Sequence, residues 1–135
     1  MATYGKEIHN LIKAVDILRG DSADFPAQQL LTYLAVARQP GITMAALSEA
    51  VGMSQASTSR NVSALSKWHR LGHPGFDLVE AVEDPRERRR KIMYLTAKGR
   101  QRMAKALEAL TGKPADDFSS PSVKDGLNSI SSAVR

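Results

Sequence analysis

Two helix-compatible segments lie on either side of Gly52, Met53 and Ser54, and that short gap constrains this chain more than any other feature of it. Thr43 can cap a short helix that carries Ala46, Leu47 and Val51 inward, and Gly52 can take the left-handed conformation that closes it. Ser54 then caps a second helix, from about Gln55 to Trp68, with Thr58, Val62 and Leu65 on its buried side. Helices joined so tightly cannot run collinear; they turn sharply and cross. The spacing predicts a helix-turn-helix over about 43–68.

The flanking segments extend this unit. Ile8, Leu11, Ile12, Val15 and Leu18 recur at helical spacing between Thr3 and Arg19, with Gly20 as the stop. A second helix over about 26–38 starts at Pro26, carries Leu30, Leu31, Leu34 and Ala35, and ends at Pro40-Gly41. Beyond Gly72-His73-Pro74-Gly75 the periodicity changes to two short β-prone runs, 78–82 and 91–95. Asp84-Pro85 between them suits a type I turn, so 77–95 reads as a β-hairpin with a charged tip. Thr96 caps a further helix from Ala97 to Leu110, with Met103, Leu107 and Leu110 on one side, and Gly112-Lys113-Pro114 ends it. Residues 115–135 hold 6 serines, yet Val123, Leu127, Ile130 and Val134 keep helical spacing, with Ser122 and Asp125 spaced as a cap. The expected architecture is mainly α with a small β-hairpin, a winged helix-turn-helix. It comprises one domain over 1–112 followed by a Ser-rich linker and a short C-terminal helix over 113–135.

Charge narrows the partner. The chain of 135 residues carries a formal net charge of +5, which favours a polyanion. Between Arg60 and Lys105 there are 12 Lys/Arg against 5 Asp/Glu, so the positive charge is concentrated in one stretch of the chain. With 0 cysteines, a disulfide framework, a thiol sensor and a cysteine-ligated zinc site are excluded, in keeping with a reducing cytoplasm. The first twenty residues lack the continuous apolar run of a secretory signal or membrane span. No membrane association is expected.

A helix that enters the major groove needs short or polar side chains on its outer side. Ser54-Gln55-Ala56-Ser57-Thr58-Ser59-Arg60 supplies them at an N-terminus whose dipole also favours phosphate. Gln55 suits an adenine, Ala56 a thymine methyl, and Arg60 a guanine or a phosphate. A merely solvated polar face is the competing reading of this helix taken alone. The hairpin tip shifts the balance, because Arg86, Arg88, Arg89, Arg90 and Lys91 crowd a turn that no core interaction requires. Such a wing can follow the backbone and put an arginine into the minor groove. Thr43, Ser57, Ser59 and Lys67 complete the expected contact set with double-stranded DNA.

From about Pro26 to Arg100 the sequence resembles the MarR-type winged-helix regulators. The likeness is carried by Gly41-Ile42-Thr43, Ala46-Leu47, Val51-Gly52, the Ser54 to Arg60 run, and above all Asp84-Pro85-Arg86-Glu87-Arg88-Arg89 through Leu95-Thr96-Ala97-Lys98-Gly99. The resemblance implies a homodimer on a palindromic operator, with helix 54–68 in the major groove and the wing in the flanking minor groove. It further implies that Arg89 is the minor-groove arginine and that Glu87 positions it. Arg86, Arg88, Arg90 and Lys91 are then phosphate contacts. It assigns dimerisation to the N- and C-terminal helices, through Ile8, Leu11, Val15, Leu107, Leu110, Leu127 and Ile130. The helix after the wing stops earlier than in the family, which argues against the family's effector pocket, and the 68–76 loop is longer than its usual junction.

Other signals are weaker. His69 and His73 are spaced as metal ligands can be, but without cysteines or a carboxylate partner a polar loop explains them better. Trp68 reads as a packing residue at the end of its helix, and Tyr94 as surface packing. No phosphate loop, nucleophile elbow or zinc helix occurs, and Glu83 and Asp84 fall on a cationic tip, so neither catalysis nor a cofactor is expected. A transcriptional regulator, acting as a repressor, is the leading reading. Its rivals are a phage or plasmid protein of replication or partition, and a protein-interaction adaptor.

Overall fold

Capping side chains set where most of the helices begin. The computed structural model describes residues 3–69, 71–116 and 118–134, the side chains at 133 and 134 apart. Thr43 accepts from the backbone of Ala46 and starts α3 (Met44–Val51), which Gly52 closes at φ 68°, ψ 35°. Ser54 accepts from Ser57 and starts α4 (Gln55–Leu65). Thr96 accepts from Gly99 and starts α5 (Ala97–Thr111), ended by Gly112 at φ 73°. Before these come α1 (Gly5–Arg19) and α2 (Ala27–Arg38), whose N-cap is Pro26. The chain ends in α6 (Val123–Val134), where Ser122 accepts from Asp125 at 3.1 Å. The side chain of Val134, the last member of the expected apolar stripe, lies outside the described residues. No described helix is long and apolar enough to cross a membrane.

The hairpin is part of a larger sheet. Strands β2 (Val79–Asp84) and β3 (Glu87–Leu95) pair antiparallel from Val79 with Leu95 to Glu83 with Lys91, and β1 (Ile42–Thr43) adds to the far edge of β3. The order is β1-β3-β2. The hairpin expected over 77–95 is therefore two strands of three. A strand of two residues shows no alternation, and Ile42-Thr43 signalled only a helix cap. Its effect is to fasten the helix-turn-helix to the wing, because Ile42 opposes Met93 just before α3 begins.

The core lies between this sheet and the helices. Tyr33, Val36, Leu47, Leu65, Leu78, Val79, Met93 and Leu95 are fully buried together. Burying a large apolar side chain stabilises by about 1.5–3 kcal/mol, so this cluster fixes how the helix-turn-helix sits on the wing. The Tyr33 hydroxyl donates to the Gly99 carbonyl at 2.6 Å, and burial pushes that phenol well above its ordinary pKa. Gly99 is required there, since a Cβ would run into the Leu78 carbonyl. α1 packs on α5, and Ala14, Leu18, Met103 and Ala106 join the same core.

Three expectations need correction. The second helix of the pair ends at Leu65, with Ser66 extended, instead of continuing to Trp68. Trp68 is 63% exposed and its backbone bridges to Pro74. Tyr94 is 3% exposed, not a surface residue, because Gly41 and Gly126 both bring backbone against its ring.

Candidate nucleic-acid interface

The outer face of α4 is built from short side chains because the inner face takes all the bulk. Thr58, Asn61, Val62 and Leu65 are buried, which leaves Gln55, Ala56, Ser59 and Arg60 exposed. Thr58 spends its hydroxyl on the Ser54 carbonyl at 2.8 Å, and the Asn61 amide donates to Met53 Sδ at 3.4 Å. Arg60 reaches back along its own helix to donate to Ser57 Oγ at 3.1 Å. The first turn of α4 therefore presents amide, methyl, hydroxyl and guanidinium groups with no bulky apolar side chain among them. Its backbone N–H groups and positive dipole end point the same way.

The wing owes its shape to one carboxylate. Asp84 is fully buried at the end of β2, where the pairing register shifts. It accepts from the Arg86 backbone N–H at 3.0 Å and from the Arg86 guanidinium at 2.9 and 3.2 Å. Arg90 adds bonds at 2.8 and 2.6 Å from the far side of the turn. The Arg86 hydrogen bond holds this carboxyl well below the usual carboxylate range, against the burial that alone would raise it, and Arg90 adds to the effect. Charge-assisted bonds of this kind pin the tip in one conformation. Arg88, Arg89 and Lys91 have no part in it and stay exposed.

The two elements meet across a groove of about 560 Å³. Gln55, Ala56 and Ser59 of α4 form one wall, Glu87, Arg89, Arg90 and Lys91 of β3 the other, and Met44 and Ala45 close the end. Seven of the expected contact residues and positioning groups thus lie together on a single concave surface. Thr43 is turned to capping and is half-buried; Ser54 is likewise a cap, although exposed. Lys67 and Arg88 are exposed outside the groove walls, and Arg86 lines a different cleft, with Tyr94 and α6. Glu87 accepts from the backbone N–H of Arg89 at 3.3 Å. The carboxylate that holds wing guanidinium groups is Asp84, on Arg86 and Arg90.

Sequence reasoning read Asp84 only as a turn residue. The usable signal was its place two residues before one arginine and six before another across a tight turn, where an aspartate can reach both. Met44 and Ala45 were missed because nothing in their pattern separates a groove end from an ordinary helix start. The terminal helices divide in two. Ile8, Leu11, Val15 and Leu110 are exposed, together with Ile12, and Leu107 is half-buried. Leu127 and Ile130 are half-buried as well, but Ile130 lines the cleft with Pro40, Gly41, Arg86 and Tyr94 and not a stripe shared with α1. Gly126, without a Cβ, lets α6 close onto the Tyr94 ring and so turns that helix towards the wing root.

No protein-family profile matches the sequence, and no curated protein does. Solved structures match its shape. MarR superposes with a TM-score of 0.53 at 20% identity, over 73% of this chain and 69% of that one. FabT of Streptococcus pneumoniae, solved in complex with DNA, gives 0.56 at 19% identity, over 92% of this chain and 80% of that one. The transcriptional repressor CouR, bound to a 23-mer DNA duplex, gives 0.56 at 19% identity, over 96% and 81%. At these identities the likeness speaks to architecture, and this chain is a winged helix-turn-helix of the shape shared by MarR, FabT and CouR.

Proposed function

We propose that this protein is a sequence-specific, duplex-DNA-binding transcriptional regulator of the MarR type, acting as a repressor by occluding a promoter. The reading rests on one observation, the groove whose walls are the short polar face of α4 and the cationic strand of the wing. α4 enters the major groove, Gln55 and Ala56 meet base edges, Ser59 and Arg60 meet bases or backbone, and Arg89 reaches the adjacent minor groove. Glu87, hydrogen-bonded to the Arg89 backbone, sets the direction of that arginine. The DNA-bound state of FabT and CouR, which share the fold, supports the reading. No catalytic step is involved, and the cytoplasm is where such a regulator works.

The acting form is a homodimer on a two-fold operator. Ile8, Leu11, Ile12 and Val15 form an apolar stripe on α1 that a lone domain leaves in water, and Leu110 is exposed on α5, the helix on which α1 packs. Half-sites then lie about 34 Å, one helical turn, apart. Selection of bound duplexes from a random pool, followed by footprinting, tests both parts. The expected product is an inverted repeat with A·T-rich flanks, at which Arg89→Ala weakens binding by about 1–3 kcal/mol. Recovery of unrelated sequences with no common footprint refutes sequence recognition; a footprint covering one half-site refutes the dimer.

A further inference from the structure

The connection from α4 to β2, residues 66–78, is long beside the usual 4–6 or so residues. Much of its backbone is spent on the recognition helix. The last carbonyls of a helix have no donors within it. Here the N–H groups of Phe76 and Leu78 donate to the carbonyls of Ala64 and Leu65, the last two of α4, at 3.0 and 2.8 Å, and those of Asp77 and Gly75 donate to Ser66 and Lys67 just beyond it at 3.2 and 3.1 Å. A Cβ at Gly75 would strike the Ser66 and Ala64 carbonyls, so the fit is close. Displacing this loop therefore disturbs the C-terminal turn of α4.

Between the loop and the start of α2 lies a cleft of about 340 Å³, in the range of small-molecule sites, about 300–1,000 Å³. Two ring pairs hold its shape: His69 stacks on His73 at 4.4 Å, and Phe25 packs on Phe76 at 4.6 Å. Several of its polar groups are acceptors, beside the Nε2–H of a neutral His69, whose Nδ1 accepts from the Leu71 N–H at 3.1 Å. Gln29 Oε1 is buried and no described residue donates to it. Asp24 brings a carboxylate. The Pro74 carbonyl, 3.1 Å from His73 Nδ1, can only accept; Nδ1 of a neutral His73 thus carries the proton and Nε2 is left as an acceptor. Ala64 of α4 completes the wall. Flat apolar surfaces and an acceptor-rich rim match a flat ligand with a donor edge.

We propose that this cleft binds a flat, hydrogen-donating aromatic molecule of the amidine or amino-heterocycle class, its donors on Gln29 Oε1 and Asp24, and that occupancy alters duplex affinity through the capped end of α4. The second half rests on the duplex-binding reading above. The probe is benzamidine, titrated into the full chain and followed by NMR. The expected result is a saturable shift confined to the Gln29 amide and the His69, His73 and Phe76 rings. Benzoate, of the same shape with acceptors in place of donors, binds at least about tenfold more weakly. Gln29→Met keeps the bulk, removes the acceptor and weakens benzamidine about tenfold or more; Asp24→Asn, on the exposed rim, does the same, with unchanged circular dichroism melting as the check on folding. Unsaturable or scattered shifts, equal binding of benzoate, or full binding in both variants overturn the site. Saturating benzamidine should change the parent's duplex affinity about fivefold or more and leave Gln29→Met unaffected. Unchanged parent affinity beside intact NMR binding overturns the coupling alone. Failure to bind any duplex overturns the regulator reading and the coupling with it, while the NMR titration still decides the cleft.

Discussion

Lys91→Gln separates contact with DNA from mere proximity to it. Of the five cations at the wing, Arg86 and Arg90 are bound to Asp84; on the proposed reading Arg88, Arg89 and Lys91 are the ones that meet phosphate. Lys91 is exposed on β3, lines the groove opposite α4 and carries no core contact, so its replacement leaves the fold intact. Each lost phosphate contact flattens the plot of log affinity against log salt by about 0.9, hence about 1.8 when both protomers of a dimer carry the change. Raising salt from about 50 to 200 mM then shrinks the parent's advantage about twelvefold for a dimer and about 3.5-fold for a monomer. Fluorescence anisotropy on the selected duplex measures the slope, with Lys6→Gln on the exposed end of α1 as control. Equal slopes for Lys91→Gln, the control and the parent refute the assignment of this wing to the DNA backbone.

Three further outcomes follow from the same structure. Because the folded pKa of Asp84 is depressed, its ionisation stabilises the protein above the ordinary carboxylate pKa of about 3.9, and that stabilisation fades as pH falls towards the folded value. The gap in urea midpoint between parent and Asp84→Asn should thus be wide near neutrality and narrow below about pH 4; a gap independent of pH refutes the role of the charge. Gly99→Ala drives a Cβ into the Leu78 carbonyl and should cost more than about 2 kcal/mol in denaturant unfolding, whereas a near-neutral result means that α5 does not seat there. Gly126→Leu pushes α6 off the Tyr94 ring; since burial is the main cause of that phenol's raised pKa, NMR titration of labelled tyrosine should find it lower in the variant, and no change means that α6 is not what covers it.

The parts of this fold that were legible are those written in local chemistry. Thr43, Ser54 and Thr96 cap because a hydroxyl at that position satisfies a helix N–H in any tertiary setting. Gly52 and Gly112 close their helices because few other residues tolerate the left-handed conformation. What was not legible depends on partners distant in sequence. Tyr94 looked like surface because its cover is Gly41 on one side and Gly126 on the other, and a glycine leaves no apolar trace. The length of α4 was overestimated because its apolar spacing runs on to Trp68, while the carbonyls that would continue the helix are taken by the returning loop.

The interface follows the same division. Its charges could be counted from the sequence, but charge does not say which cations are available. Asp84 settles that: by holding Arg86 and Arg90 it fixes the tip and leaves Arg88, Arg89 and Lys91 to carry the outward charge. β1 then ties β3 to the residue that caps α3, and the 66–78 loop ties the end of α4 to the start of β2. The recognition face is therefore anchored to the sheet at both ends. The proposed reading of a DNA groove of fixed width requires that rigidity, since a wing free to swing against α4 would give up in ordering entropy much of what phosphate contacts could contribute.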